Sequence, residues 1–439
     1  MKFSVIMPTY NRSAQVTLTL AAFEKQTWPM DDFEVIVVND GSTDDTLERL
    51  RQCHTPYRLV IVTLESTGGR SVARNVGVRA AQGEYLIFCD PDYIVLPRFI
   101  EVHAHYLNRH PNTAISGVPY MWKNAYTQVF PDYSAEERVK VTAVLQQAGL
   151  WNETFENLDR VIEIVTPDDI RQHTGKLEQV ISPFEEASEP VIQQFVRTDV
   201  APWLLCVTRS LSMSREMFDH VGGFYEPFKM YGFEDWELGY RLHRLGYPFV
   251  CIGEIIGYHQ EHPSAFRNTD VNGDNLRMAF RMHGVHDPEL SMFAVCSPSE
   301  DILLYKNALK KLVDLQNSPS ESDRQWARQL TLACAHVAQL FVDQPDSQEY
   351  KLAKAAVKQA LIDAINSQPT LTPPAGVRKR KLRKLKRRRL RLRKRRLRGR
   401  KLRRLARGSI RRITRSSKRR TARKPARRII RGTAHIRRK

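Results

Sequence analysis

Asp90-Pro91-Asp92 closes an apolar run, Tyr85–Cys89, and sets two carboxylates one residue apart. Such a pair holds a divalent cation while leaving positions open for phosphate oxygens, the coordination that Mg2+ and Mn2+ take. The same triplet also serves as a capped turn before a helix over Pro97–Asn108. Asn39-Asp40-Gly41-Ser42 ends a second apolar run; its carboxylate suits a base or ribose, or a plain strand-to-helix turn. Gly68-Gly69-Arg70, followed by Arg74-Asn75, offers backbone amides and guanidinium groups to a diphosphate. Gly222-Gly223-Phe224 precedes Tyr-Gly-Phe-Glu-Asp-Trp-Glu at Tyr231–Glu237, acids set between aromatics at a Gly-marked helix start. A sugar acceptor needs flat faces to stack on and a carboxylate for its hydroxyl proton; an acid-rich helix start with core aromatics has the same pattern. His259, in Tyr258-His259-Gln260-Glu261-His262, is either structural or a metal ligand. No G-x-x-x-x-G-K-[ST] occurs, which excludes a P-loop nucleotide site.

The elements that must carry these groups follow from the periodicity. Phe3–Met7, Glu34–Val38, Arg58–Leu64 and Tyr85–Cys89 read as strands, and Ala14–Gln26 and Ser71–Ala81 as helices between them. A further helix follows Asp40, with Ser42 or Thr43 as its cap and Asp44 and Asp45 in its first turn. Strand and helix alternating at this spacing predict an α/β fold, a mostly parallel open sheet flanked by helices. Every polar cluster then falls at the carboxyl end of a strand, where open α/β sheets bind ligands. The pattern loosens over about 121–200, expected as a helical insertion, and resumes at Trp203–Met213 through Gly257. Asp301–Gln316, Ser322–Val342 and Gln348–Asn366 predict three amphipathic helices. The expected organisation is a catalytic domain over 1–270, a helical module over 271–366, a Pro-rich linker over 367–376 and a tail over 377–439.

Charge separates that tail from the rest. The 439 residues carry a net charge of +21, yet Arg378–Lys439 holds 35 Lys or Arg and no Asp or Glu. The remaining chain has 34 basic and 48 acidic residues, a net of −14. The tail cannot build a core and reads as disordered or conditionally helical. The body, with most of the 42% hydrophobic content, can bury a sizeable core. Six scattered cysteines without a C-x-x-C pair predict reduced, buried thiols and a cytoplasmic setting. Met1–Met7 is too short for a signal peptide, and no apolar run spans a bilayer.

Taken in order, V-I-M-P-T-Y-N-R, V-V-N-D-G-S-T-D-D-T, G-G-R-S-V-A-R-N-V-G and G-E-Y-L-I-F-C-D-P-D resemble the family 2 inverting glycosyltransferases. S-M-S-R-E-M-F-D-H-V-G-G-F and G-F-E-D-W-E-L-G-Y-R-L extend the resemblance to about residue 260, and the late segment is similar to that of chondroitin-polymerase-type transferases. The resemblance implies the GT-A fold, a nucleoside-diphosphate sugar donor, UDP-linked by expectation, and Mn2+ or Mg2+. By position it implies that Thr9 and Asp40 contact the nucleotide, with Pro8 and Tyr10 shaping the pocket. Gly69 and Arg74 face the diphosphate or sugar. The resemblance makes Asp90 and Asp92 the metal-binding pair, with Asp92 favoured as the direct ligand and His259 as a later one, Asp235 the base and Glu234 its acceptor-binding neighbour. Asp235 must stay ionised, so its pocket is expected not to be strongly desolvating. Ser210 stands where relatives often carry Asn.

The implied acceptor is a hydroxyl of a saccharide, a glycolipid or a protein-linked glycan. The tail adds an anionic surface or polymer as an expected partner, with nucleic acid less favoured and a peripheral location on an acidic membrane consistent with it. Two competing readings are a sugar nucleotidyltransferase, whose Gly-rich loop is missing after Phe3–Met7, and a polyanion-binding protein with a vestigial transferase body.

Overall fold

Apolar runs that end on polar clusters become the strands of one sheet. The computed structural model describes residues 1–117, 123–183, 188–266 and 273–367; most of the linker and the whole basic tail lie outside them. β1 (Phe3–Thr9), β2 (Phe33–Asn39), β3 (Arg58–Thr63) and β4 (Tyr85–Cys89) pair in parallel, joined by α1 (Ser13–Phe23), α2 (Thr46–Gln52) and α3 (Arg70–Ala80). Every residue of β1 and β2 is buried, which is why these runs read as continuous rather than alternating.

Next come β5 (Tyr93–Val95), α4 (Phe99–Arg109), β6 (Ala114–Ser116), β7 (Lys123–Ala125), β8 (Gln128–Val129), α5 (Ala135–Gln147), β9 (Ile162–Glu163), α6 (Pro167–Gln172), α7 (Lys176–Gln179), β10 (Ile181–Pro183) and α8 (Glu189–Val196). They are followed by β11 (Ser210–Ser214), α9 (Arg215–Val221), α10 (Glu234–Arg244), β12 (Phe249–Cys251) and β13 (Gly257–Gln260). The main sheet runs β12-β6-β11-β4-β1-β2-β3, with β11 antiparallel to both neighbours. A second sheet, β10-β7-β13-β5, stands beside the carboxyl end of β4 and carries His259. Over its described residues, segment 121–200 is therefore mixed rather than helical. Its strands are two or three residues long, too short to show a period, and gain their hydrogen bonds from distant partners such as β13.

Side chains alternate across the main sheet. Phe3, Val5 and Met7 pack with α1 and α4, whereas Ile6 faces a second core shared with α3, α9 and α10. That second core continues without a break into α13 (Pro298–Gln316), α14 (Glu321–Asp343) and α15 (Gln348–Asn366), which follow α11 (Asp274–His283) and α12 (Pro288–Ser291). The three long helices begin at Ser297, Ser320 and Ser347, whose hydroxyls each accept from a backbone N–H of the first turn. The six cysteines form no disulfide, and four of them are buried.

One predicted cap is corrected. α2 starts at Thr46, not after Ser42 or Thr43, because Asn11 claims those residues. Its backbone N–H donates to Ser42 Oγ at 3.0 Å, and its Oδ1 accepts from the N–H of Thr43 at 2.8 Å. Asn11 itself sits at φ +50°, a conformation that Asn tolerates, and so braces the loop after β2 from the loop after β1.

Candidate functional site

One cleft of about 340 Å3 opens over the carboxyl ends of β1, β2 and β4, and all eleven residues singled out above line it. The sheet brings Pro8, Thr9 and Tyr10 to the end of β1, Asp40 just after β2, Gly69 and Arg74 to the start of α3, and Asp90 and Asp92 just after β4. α10 supplies Glu234 and Asp235, and β13 supplies His259.

Asp40 is a loop organiser before it is anything else. Its Oδ1 accepts from the N–H of Gly68 at 2.7 Å, and its Oδ2 from the N–H of Gly69 at 3.0 Å and Thr67 Oγ1 at 2.9 Å. These bonds fix Gly69 at φ +89°, from which α3 starts at the cleft edge. Thr9 Oγ1 is buried and has no hydrogen-bond partner in the protein.

At the far side, Phe233 takes φ +74°, costly for a bulky residue, and turns the chain into α10. Phe233 and Trp236 anchor this turn by packing edge-on against Phe293, so they are core aromatics; Tyr231 reaches the cleft, with Arg70 4.6 Å over its ring. Glu234 and Asp235 therefore project from a helix N-terminus, which favours negative charge. Arg74, 3% exposed, lies 3.3 Å from Glu234 and 3.5 Å from Asp90. Burial works against its charge, but the two carboxylates outweigh it and hold the guanidinium more firmly protonated than usual. Asp235 accepts from the N–H of Trp236 at 2.8 Å and that of Thr208 at 3.4 Å. Burial, reinforced by the charge of Glu234, pushes its carboxyl up to about 7. The expectation of a readily ionised Asp235 is thus corrected: α10 and the loop before β11 desolvate it. Glu237 does not line the cleft. It is fully buried between Arg241 at 2.6 Å and His283 at 3.0 Å.

Asp92, His259 and His262 form a buried triad whose ligand atoms lie within 4.8 Å of one another. His259 Nδ1 donates to Glu261 Oε1 at 2.9 Å, and His262 Nδ1 donates to the carbonyl of Pro263 at 3.0 Å. Both partners only accept, so each ring keeps its proton on Nδ1 and presents Nε2 to Asp92, at 3.9 and 3.3 Å. Burial opposes ionisation of Asp92, but when the imidazoles also carry a proton on Nε2, the hydrogen bond from His262, the charges of His259 and His262 and that of Arg12 hold its carboxyl well below the usual range. Its Oδ1 is buried with no hydrogen-bond partner. An orphaned carboxylate oxygen beside two imidazole nitrogens is a donor set that fits a divalent cation. His262 was not singled out in the sequence, although its three-residue spacing from His259 was there to see. Asp90 stands outside the triad, paired with Arg74 and with Arg209.

The profile for glycosyl transferase family 2 matches residues 4–171, and that for the N-terminal domain of galactosyltransferase matches residues 205–262. The chain carries a family 2 glycosyltransferase domain. An uncharacterised glycosyltransferase of Bacillus subtilis, YfnE, is 28% identical over 62% of this chain and 67% of its own length. Validoxylamine A glucosyltransferase of Streptomyces hygroscopicus subsp. jinggangensis is 31% identical over 63% of this chain and 58% of its own, and chondroitin synthase of Escherichia coli 29% identical over 62% and 37%. This chain therefore spans roughly one third to two thirds of those relatives. The crystal structure of S. aureus TarS 1–349 in complex with UDP-GlcNAc aligns with 83% of this chain and 82% of that one, at 17% identity and a TM-score of 0.42.

Proposed function

We propose that this glycosyltransferase moves a sugar from a nucleoside-diphosphate donor, UDP-linked, to an acceptor hydroxyl by one in-line displacement that inverts the anomeric centre. The observation that carries the reading is the placement of Asp235 and the Asp92–His259–His262 triad on a single cleft that Arg74, paired with Glu234 and Asp90, also lines. Thr9, whose hydroxyl lacks a partner, and the Asp40-braced loop receive the nucleotide, with Pro8 and Tyr10 at its edge. Asp92, His259 and His262 would hold Mn2+ or Mg2+, which when bound supplies positive charge to the donor phosphates.

Asp235 accepts the proton of the acceptor hydroxyl as that oxygen bonds the anomeric carbon. The bond from that carbon to the donor phosphate breaks, and its electron pair leaves on the diphosphate. Arg74 stabilises the departing charge, and Glu234 keeps Arg74 in place while presenting its own carboxylate to the acceptor. Saccharides are the acceptor class favoured by the relatives' names, and Tyr231 gives such a ring a face to stack on. Residues 377–439 tether the protein to an anionic surface or polymer. Among the described residues, no helix is long and apolar enough to cross a membrane. A vestigial body is disfavoured, because the cleft retains a base, a cation-binding triad and diphosphate-facing guanidiniums together.

The test is a panel of nucleotide sugars assayed for donor hydrolysis and transfer with Mn2+, comparing the natural chain with Asp92→Ala. Turnover of at least one donor that collapses in the variant, with an inverted product by NMR, supports the reading. Retained configuration, or turnover untouched in Asp92→Ala, overturns it.

A further inference from the structure

Asp90 and Asp92 are neighbours in sequence with different company in space. Asp92 turns to the two histidines, whereas each oxygen of Asp90 meets a different guanidinium: Oδ1 lies 3.5 Å from Arg74 Nη2, and Oδ2 lies 3.5 Å from Arg209 Nε. We propose that Asp90 is a positioning acid that holds Arg74 and Arg209 as a paired-guanidinium cradle for the leaving diphosphate, and that it does not ligate the cation. The proposal rests on the displacement reading above and names a further residue, Arg209, for it.

Sheet register makes the first half of the argument. β11 runs antiparallel to β4 with Ser210 opposite Cys89, so one step further Arg209 falls opposite Asp90 where both strands leave the sheet. Arg74 reaches the same carboxylate from α3 on the other side. Two elements 119 and 16 positions from Asp90 in sequence thus converge on one acid.

The chemistry of the guanidiniums makes the second half. Both line the cleft; Nε of Arg74 is buried without a hydrogen-bond acceptor in the protein, and Nε of Arg209, 3.5 Å from Asp90, is buried without completing a hydrogen bond. A buried N–H without an acceptor is costly, and an incoming phosphate oxygen removes that cost. Arginine presents its donors in a planar fork suited to phosphate, and a carboxylate behind each fork fixes its plane before the ligand arrives. Asp90 is not one of the gathered ligand atoms of the Asp92–His259–His262 triad, and each of its oxygens faces a guanidinium instead. Placed between like charges, it also cancels the repulsion that would drive Arg74 and Arg209 apart.

The test uses the full chain in four forms: natural, Asp90→Asn, Arg209→Ala and both changes together, with Asp92→Asn as control and thermal melting to confirm folding. Manganese alone is titrated by electron paramagnetic resonance, and UDP is titrated by calorimetry in EDTA. The cradle predicts manganese affinity within about twofold of natural in Asp90→Asn, against a loss of about tenfold or more in Asp92→Asn. It predicts UDP affinity weaker by about tenfold in Asp90→Asn and in Arg209→Ala, and no weaker in the double variant, because the two act as one unit. Manganese lost equally from Asp90→Asn and Asp92→Asn would make Asp90 a ligand and end the proposal. Additive UDP losses, near a hundredfold in the double variant, would end it as well. If the natural chain takes up no manganese, the cation-dependent reading of the reaction falls, and the UDP cycle alone decides the cradle.

Discussion

Arg74 and Glu234, 160 positions apart in sequence, form a buried ion pair at 3.3 Å between α3 and α10. The pair sets the basicity of Asp235 next to it. Glu234 raises the Asp235 carboxyl and Arg74 lowers it, on top of the larger effect of burial. Glu234→Gln removes the raising charge and leaves Arg74 without its closest counter-ion, so both changes act in one direction. If Asp235 is the base, the acid limb of the pH–rate profile is expected near 7 in the natural protein and at lower pH in this variant. A limb that stays in place or moves up would detach Asp235 from the profile.

Asp235→Asn keeps the shape of the side chain and removes the proton acceptor. Transfer is expected to fall by about three decades or more, the combined scale of a missing base and lost positioning, while calorimetric UDP affinity stays within about twofold. Glu237 cannot stand in, since Arg241 and His283 enclose it. Transfer persisting near the natural rate would pass the base to Glu234.

Two imidazoles and one carboxylate make a nitrogen-rich donor set. Such a set binds Mn2+ more strongly than Mg2+, which keeps to oxygen and water. Glu261 holds His259 in the required orientation, so Glu261→Ala should weaken manganese binding by about 10–100-fold, the usual cost of losing an outer hydrogen bond to a metal-bound histidine. Equal affinity for the two metals, or no change in Glu261→Ala, would argue for a different ion site.

The sheet was legible because β1, β2 and β4 are apolar runs stopped by polar clusters, and parallel strands buried on both faces have to read that way. The cleft followed, since those clusters share one edge. What stayed hidden depends on pairings between distant segments. Arg209 is one more basic residue until β11 is laid antiparallel on β4, and the strands of 121–200 exist through partners elsewhere in the chain. Desolvation of Asp235 was also out of reach, because the groups that bury it come from the turn before β11 and from Glu234 held by Arg74.

Lys306, on α13, is buried without exposure, and its Nζ donates to the carbonyl of Arg197 at 2.6 Å. Burial, helped by the charge of Arg197, pushes its ammonium down to about 7. The unfolded chain keeps that proton up to about 10.4, so between these values the unfolded state binds more protons and stability rises with pH. Lys306→Met should therefore raise the melting temperature most near pH 6 and flatten its rise toward pH 9. A variant melting lower at pH 6 than the natural protein would show that the hydrogen bond to Arg197 outweighs the buried charge.

Residues 1–367 form one compact unit, so the basic tail can be removed at 377 without cutting into it. The tail carries 35 positive charges and no acid, opposite in sign to the −14 of the remaining chain. A run of that kind binds polyanions by displacing their counterions, with affinity that falls steeply as salt rises. Deletion of 377–439 is expected to leave donor hydrolysis unchanged within about twofold, because every group of the cleft lies before residue 267. It should abolish cosedimentation with anionic vesicles at low salt, and in the full chain the same cosedimentation should vanish as salt is raised. A truncated protein that stays bound to the vesicles would place the anionic contact on the body. One that folds but loses hydrolysis would make the tail part of the catalytic unit, and the tether would have to be abandoned for a role at the cleft.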